Sequence, residues 1–166
     1  TMNDTAIILT AFGTSSSAAA TYDVIDRDMR QSFPGFDVFW AFTSQRLRAA
    51  RRQNGELWQS PEEALCGLAR QGYRKAVLQS LHIVPGFEYE RVASACAAAP
   101  IETRPGKPLL GDQRDCKKVI DALGPSIRQF PDSAVVLVGH GTHHPQGIAM
   151  YQQFQACLQE RFPENV

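Results

Sequence analysis

The chain has 166 residues and a mass of 18.4 kDa, with 43% hydrophobic and 20% charged residues. This composition is typical of globular proteins and excludes a collagen-like, disordered or coiled-coil chain. The 17 basic and 17 acidic side chains cancel, so no overall field favours nucleic acid or an anionic membrane as a partner. The longest apolar runs, such as residues 134–138, are far shorter than the roughly 20 residues of a membrane span.

The cysteines are widely spaced along the chain and form no C-x-x-C pair: they are Cys66, Cys96, Cys116 and Cys157. That spacing argues against a zinc knuckle, a thioredoxin motif or a dense disulfide framework. We therefore expect reduced thiols and a cytoplasmic protein. The first residues show no signal peptide, but a cleaved one would leave no trace, so an exported form stays open.

The first predicted elements alternate between strand and helix. Residues 6–13 form an apolar run that ends at a glycine, which predicts a strand buried on both faces. Apolar residues at helical spacing follow between positions 22 and 33, and residues 37–43 predict a second strand. Residues 60–63 (SPEE) have the pattern of a capping box with proline at the first helical position, and Gly72 stands where that helix would end.

The alternation continues to the end of the chain. Strands are predicted at residues 75–84, 109–110 and 133–139, the last being the most apolar, and helices at residues 87–99, 113–123 with a continuation to 130, and 146–162. Strands joined by such long crossovers predict a parallel sheet covered on both faces, a doubly wound α/β fold. Ligands of such sheets bind outside the carboxyl ends of the strands.

An internal repeat links the two ends of the chain. Residues 6–14 (AIILTAFGT) align with residues 134–142 (AVVLVGHGT), and a Phe-Pro pair follows each copy after the predicted helix. The repeat predicts a duplicated architecture, with one complete half at residues 1–131 and the first strand-helix unit of a second half at residues 132–166. The alternative is that two unrelated strand-glycine-helix units look alike.

A histidine cluster follows the most apolar predicted strand. His140 lies between Gly139 and Gly141, and His143 and His144 come shortly after. The glycines allow close approach of a ligand. A neutral imidazole binds Co, Ni, Fe or Zn and can accept a proton near its ordinary pKa of about 6.5. A buried histidine bonded to backbone is the alternative, and we expect His143 and His144 to be exposed near a helix start.

Two further groups of residues follow predicted strands. His82 lies near Glu88 and Glu90, although acidic residues in the first turn of a helix are also favoured by the helix dipole. The loop Phe12, Gly13, Thr14 and Ser15 opens a helix, and its amides could hold an anion such as a substrate carboxylate. An ordinary helix start would explain the same residues.

The remaining motifs exclude several chemistries. The sequence has no P-loop, no G-x-G-x-x-G after a strand, no G-x-S-x-G and no H-E-x-x-H, so ATP, NAD and serine-hydrolase chemistry lose their main support. The arginines at positions 46, 48, 51 and 52 could steer a polyanionic substrate, but a solvated helix face is the commoner explanation.

Several segments together resemble the anaerobic cobalt chelatases. They are residues 11–15 (AFGTS), 41–44 (AFTS), 71–73 (QGY), 79–90 (QSLHIVPGFEYE) and 139–141 (GHG). The resemblance covers nearly the whole chain and implies an ATP-independent class II chelatase related in fold to ferrochelatase. Members of that family insert Co²⁺ into sirohydrochlorin, a tetrapyrrole, in cobalamin biosynthesis, with two similar α/β domains around the cleft.

The resemblance also implies roles for individual residues. His140 matches the first of the two active-site histidines and would ligate Co²⁺ and accept pyrrole protons. Phe12, Gly13, Thr14, Ser15, His82 and Glu88 would bind the substrate. The second histidine and its glutamate would lie beyond residue 166, which leaves open a truncated form, a natural short form, or a homo-oligomer that completes its own cleft.

Three other functions compete with cobalt insertion. The first is a chelatase for Fe²⁺ or Ni²⁺, because an imidazole site selects poorly among these ions. The second is a tetrapyrrole or metal carrier without turnover, which an incomplete second half would favour. The third, a histidine phosphatase, requires an arginine where Gly139 stands.

Overall fold

The computed structural model describes residues 4–164 of the chain. This part divides into two compact units, and we describe each by itself. The first unit contains residues 4–82 and 88–106, and the second contains residues 83–87 and 107–164. None of the helices within residues 4–164 is both long and apolar enough to cross a bilayer.

The first unit is built on a parallel sheet. In chain order its elements are β1 (Thr5–Ala11), α1 (Ala20–Ser32), β2 (Asp37–Phe42), α2 (Gln45–Gln53), α3 (Pro61–Arg70), β3 (Lys75–Ser80), α4 (Phe87–Ala97, whose first residue counts with the second unit) and β4 (Glu102–Pro105). The strand order is β2-β1-β3-β4 and all neighbours are parallel. This confirms the predicted fold class.

The side chains of β1 alternate between the two faces of the sheet. Ala6 and Ile8 are fully buried against α3 and α4, whose contributions include Leu65 and Val92. Residues 7 and 9 face the other way and pack with apolar side chains of α1. Helices cover both faces of the sheet at β1, which fits a strand that is apolar except for Thr5 and Thr10.

The helix start predicted at residues 60–63 is confirmed in atomic detail. The Ser60 hydroxyl accepts a hydrogen bond from the Glu63 N–H, and the Glu63 carboxylate accepts one from the Ser60 N–H at 2.7 Å. Pro61 occupies the first turn of α3, where its missing N–H has no cost. This capping box fixes the first turn of α3.

The second unit contains two helices, α5 (Gln113–Arg128) and α6 (Pro145–Arg161). Buried apolar side chains from both helices pack together, among them Ile120 and Leu158. A second cluster joins α5 to the segment after β3 through Cys116 and Val84. Both helices were predicted, and their bounds agree with the sequence pattern to within a few residues.

Two predicted strands are wrong. Residues 133–139 have no regular structure, and Val136 and Val138 are 79% and 90% exposed. An apolar run becomes a strand only when a neighbouring strand pairs with it, and the described chain offers residues 133–139 no such neighbour. Residues 109–110 form a turn, and the fourth strand is β4. The sequence pattern missed β4 because this edge strand is short and polar.

Candidate functional site

The carboxyl ends of three neighbouring strands meet at one edge of the sheet in the first unit. The Thr43 N–H donates to the Ala11 carbonyl at 2.9 Å, and the Ser44 N–H donates to the Phe12 carbonyl at 3.2 Å. On the other side of β1, the Leu81 N–H donates to the Thr10 carbonyl at 2.8 Å. The loops predicted to carry function therefore begin side by side.

His82 is held between two hydroxyl groups at this edge. Its Nδ1 lies 2.9 Å from the Ser80 hydroxyl oxygen, and its Nε2 lies 3.3 Å from that of Thr43. Burial lowers the pKa of His82, and the nearby Glu88 carboxylate opposes this only in part. The imidazole is therefore neutral at pH 7, the form that can accept a proton or bind a metal ion.

Glu88 presents a partly buried carboxylate whose charge acts on His82. It lies in the first turn of α4, as predicted, and its Oε1 is 3.4 Å from Nη1 of Arg91. Its Oε2 is buried, and no hydrogen-bond partner for that atom is present in residues 4–164. Buried polar atoms are normally hydrogen-bonded, so this oxygen marks a position where a ligand group could bind. Glu90, in the same turn, is exposed.

The loop after β1 contains the predicted residues Phe12, Gly13, Thr14 and Ser15. Gly13 has φ +98°, and a Cβ at that position would lie 2.8 Å from Cζ3 of Trp58, so only glycine fits. The Phe12 ring is 49% exposed. The Thr14 hydroxyl accepts a hydrogen bond from the Ser16 N–H, and Ser15 is exposed. The loop is thus fixed internally and presents Phe12 and Ser15 outward.

The histidine cluster lies in the second unit and differs from the prediction. His140 is exposed and belongs to the irregular segment 133–144 instead of the end of a buried strand. The prediction that His144 is exposed is wrong, because its ring packs at 4.9 Å from that of Phe87 and is 7% exposed. His143 is exposed, as expected. Within residues 4–164, no three His, Cys, Asp or Glu side chains form a cluster that could hold a metal ion.

Comparison with known proteins decides what this chain is related to. The model of the cobalt chelatase (CbiK) family matches residues 5–166. The chain belongs to this cobalt chelatase family. It is 37% identical over 175 aligned residues to a sirohydrochlorin cobaltochelatase of Salmonella typhimurium, covering 97% of this chain and 64% of that protein.

A second relative has a similar level of identity. The sirohydrochlorin cobaltochelatase CbiKC of Nitratidesulfovibrio vulgaris is 36% identical over 157 residues, covering 87% of this chain and 54% of that protein. This chain therefore spans only between about half and two thirds of the length of these two relatives.

Two residues that hold His82 lie in segments that carry the family resemblance, but the sequence pattern gave neither of them a role. Thr43 and Ser80 are both buried, with 3% and 2% exposure, and both lie at the carboxyl ends of strands. The signal that could have found them is a hydroxyl residue at the end of an apolar strand. Of the four arginines around α2, Arg51 and Arg52 pair with Glu56 and Glu63 at 2.8 and 2.6 Å.

Proposed function

We propose that this chain contributes to an ATP-independent chelatase that inserts Co²⁺ into sirohydrochlorin in cobalamin biosynthesis, in the cytoplasm. The observation that supports this most directly is the cobalt chelatase family match over residues 5–166, together with two relatives named for that reaction. Insertion replaces two pyrrole N–H protons of the macrocycle by the metal ion. It consumes no reducing equivalent, so the proposal needs no NAD, and its independence of ATP rests on the resemblance to the class II chelatases.

His140 is the proposed metal ligand and proton acceptor. An imidazole lone pair that releases Co²⁺ to the macrocycle becomes free to accept a proton from it, so one nitrogen can perform both tasks in turn. The exposure of His140 and the open space at the neighbouring Gly141, where an added Cβ would meet nothing within 4 Å, support this role because they leave room for a ligand. The remaining ligands of Co²⁺ would come from water and the macrocycle itself.

Residues of the first unit are the proposed substrate contacts. His82, kept neutral by burial, and Glu88, whose buried Oε2 has no hydrogen-bond partner within residues 4–164, offer polar positions. Phe12 offers an exposed apolar ring, and the loop through Gly13, Thr14 and Ser15 sets its position. A tetrapyrrole has an apolar face and a polar edge, and this set of groups suits both.

The duplicated architecture is also part of the proposal, with residues 1–131 as one half and 132–166 as the beginning of a second. Matching backbone geometry supports it. Gly13 and its counterpart Gly141 both have positive φ values, +98° and +76°. Phe33 and Phe162 end α1 and α6 with nearly the same angles, φ −129° and ψ 61° against φ −135° and ψ 63°.

A binding protein without turnover is the second candidate. The lack of a three-residue metal cluster within residues 4–164 favours its tetrapyrrole-binding form, because a single exposed imidazole binds Co²⁺ weakly. The same imidazole chemistry leaves Fe²⁺ and Ni²⁺ as alternative metals.

The deciding experiment is anaerobic absorbance spectroscopy of the 166-residue chain with sirohydrochlorin and Co²⁺, measured against the rate without protein. The proposal expects several turnovers per chain that are lost in His140→Ala and kept in His143→Ala, which changes a neighbouring exposed histidine. Sedimentation under the same conditions shows whether a homo-oligomer performs the reaction.

Other outcomes assign the chain differently. A spectral change that saturates at one equivalent identifies a binding protein. Faster insertion of Fe²⁺ or Ni²⁺ than of Co²⁺ identifies a different metal. A rate equal to that without protein, and no spectral change, contradicts the proposal for this chain.

A further inference from the structure

A polar cavity of about 250 Å³ lies in the first unit beside the end of β2. It is lined by Thr43, Gln45, Arg48, Pro61, Glu62 and Arg91. Two of these side chains are guanidinium groups and one is a carboxylate, so the lining carries a net positive charge. Thr43 also holds His82, so the cavity adjoins the candidate site.

Both guanidinium groups are anchored to consecutive carbonyls at the end of β2. Nη1 of Arg48 donates a hydrogen bond to the Phe42 carbonyl. Nη1 of Arg91 donates one to the Thr43 carbonyl at 3.4 Å. This stretch of backbone is itself fixed by hydrogen bonds to the end of β1. The two cations are therefore positioned before any ligand arrives, which lowers the entropy cost of binding.

Most N–H groups of these two side chains remain available. A guanidinium has five N–H donors. In the described part of the chain, Arg48 uses its donors only on the Phe42 carbonyl, and Arg91 adds only the ion pair with Glu88 at 3.4 Å. Glu62 lines the same cavity but forms no ion pair there within residues 4–164. The Ser60 N–H, the Arg52 ion pair and, to a smaller extent, the charge of Arg48 lower the pKa of Glu63, so its carboxylate stays ionised and is bound mainly by Ser60 and Arg52.

We infer that Arg48 and Arg91 form a carboxylate subsite, and that the carboxylate is an acidic side chain at the edge of the tetrapyrrole. The planar fork of arginine matches a carboxylate and binds it more strongly than a neutral acceptor does. Sirohydrochlorin carries acetate and propionate side chains around its ring. This inference rests on the proposed function for the identity of the ligand, but the carboxylate subsite can be tested without it.

The first test uses propionate as the probe and the ¹⁵N-labelled 166-residue chain. The expected result is a saturable shift of the Nε–Hε signals of Arg48 and Arg91 in the NMR spectrum at millimolar propionate. Propionamide, which has the same shape without the charge, should cause no shift. Arg46 is the internal control, because it is exposed on α2 and does not line the cavity. If the Arg46 signal shifts as much as those of Arg48 and Arg91, or if the Arg48 and Arg91 signals do not shift, the proposed subsite is wrong.

The second test measures sirohydrochlorin affinity by absorbance titration. Arg48→Met and Arg91→Met should each weaken binding about 10-fold, because each removes a charge-assisted hydrogen bond. Arg48→Lys keeps the charge but removes the planar guanidinium group. Its affinity for sirohydrochlorin should therefore lie between that of Arg48→Met and that of the unchanged chain. Arg46→Met should bind as the unchanged chain does, and circular dichroism verifies that every variant is folded.

The octamethyl ester of sirohydrochlorin separates the subsite from the rest of the site. Its affinity should not differ between the unchanged chain and the arginine variants. If the chain binds sirohydrochlorin and the arginine variants bind it equally well, the subsite is wrong and the proposed function stands. If propionate binds but sirohydrochlorin does not, the carboxylate subsite is supported. In that case the tetrapyrrole is not its ligand, and the proposed function is wrong as well.

Discussion

Nε2 of His82 lies 3.3 Å from the hydroxyl oxygen of Thr43, so the residue that follows β2 holds the imidazole that follows β3. Thr43 is only 3% exposed, and its backbone is fixed to the end of β1. The orientation of His82 therefore depends on the pairing of three strands.

Thr43→Val should loosen this arrangement. Valine keeps the shape of threonine but removes the hydroxyl, which leaves one imidazole nitrogen without its partner. We expect a loss of about 1 kcal/mol in the free energy of unfolding, measured by urea denaturation. Thr21→Val is the control, because Thr21 is exposed on α1, and it should change the stability by less than about 0.5 kcal/mol. Equal effects of the two changes would contradict this account of Thr43.

The stability of the chain should fall as the pH falls below the ordinary His82 pKa of 6.5. Burial lowers the pKa of His82 in the folded chain, so the unfolded chain takes up a proton at a higher pH than the folded chain does. Stability is therefore full above pH 6.5 and is lost as the pH falls through the lower, folded pKa. Urea midpoints at pH 7.5 and 5.5 should differ less in His82→Gln than in the unchanged chain. If the two urea midpoints differ as much in His82→Gln as in the unchanged chain, His82 is not a source of the pH dependence of stability.

Glu88→Gln should lower the pKa of His82 further. The Glu88 carboxylate favours the protonated imidazole by its charge, and glutamine removes that charge while keeping the size. An NMR titration of the His82 ring protons measures the change directly. Glu90→Gln is the matched control in the same helical turn, since Glu90 is exposed. A larger change in Glu90→Gln than in Glu88→Gln would mean that the wrong carboxylate has been assigned.

Gly13→Ala should destabilise the chain more than Gly55→Ala does. Both glycines have positive φ, +98° and +79°, so both changes carry a backbone cost of about 1 kcal/mol. Only Gly13 also meets a side chain, because its new Cβ would lie 2.8 Å from Trp58, whereas nothing lies within 4 Å at Gly55. The added clash should cost about 1–3 kcal/mol more. Urea denaturation measures the difference, and tryptophan fluorescence should change only in Gly13→Ala.

Amide hydrogens of residues 134–138 should exchange with solvent much faster than those of β1. The two segments have similar sequences, but β1 is hydrogen-bonded on both sides, while Val136 and Val138 are largely exposed. Hydrogen exchange followed by mass spectrometry of peptides from the two segments measures this. Equal protection would show that residues 134–138 have found a pairing strand, as they would in a self-associated chain.

Much of the candidate site could be predicted from the sequence because its positions follow from local pattern. The apolar run that ends in glycine located the loop after β1 and hence Gly13, whereas the strand predicted at residues 75–84 ends at Ser80, two residues before His82. The contacts that define the site could not be predicted this way, because they join residues far apart in the chain. Thr43 and His82 are separated by 39 positions, and no periodicity relates them.

The sequence by itself determined the helices other than α2, the parallel strands β1 to β3 and the family, since each depends on local composition or on residue identity along the chain. Tertiary structure alone decided which apolar run became a strand. Residues 6–11 and 134–139 are almost equally apolar, yet only the first run pairs with neighbours and is buried. The physical reason is that a strand satisfies its backbone N–H and carbonyl groups with partners supplied by other parts of the fold.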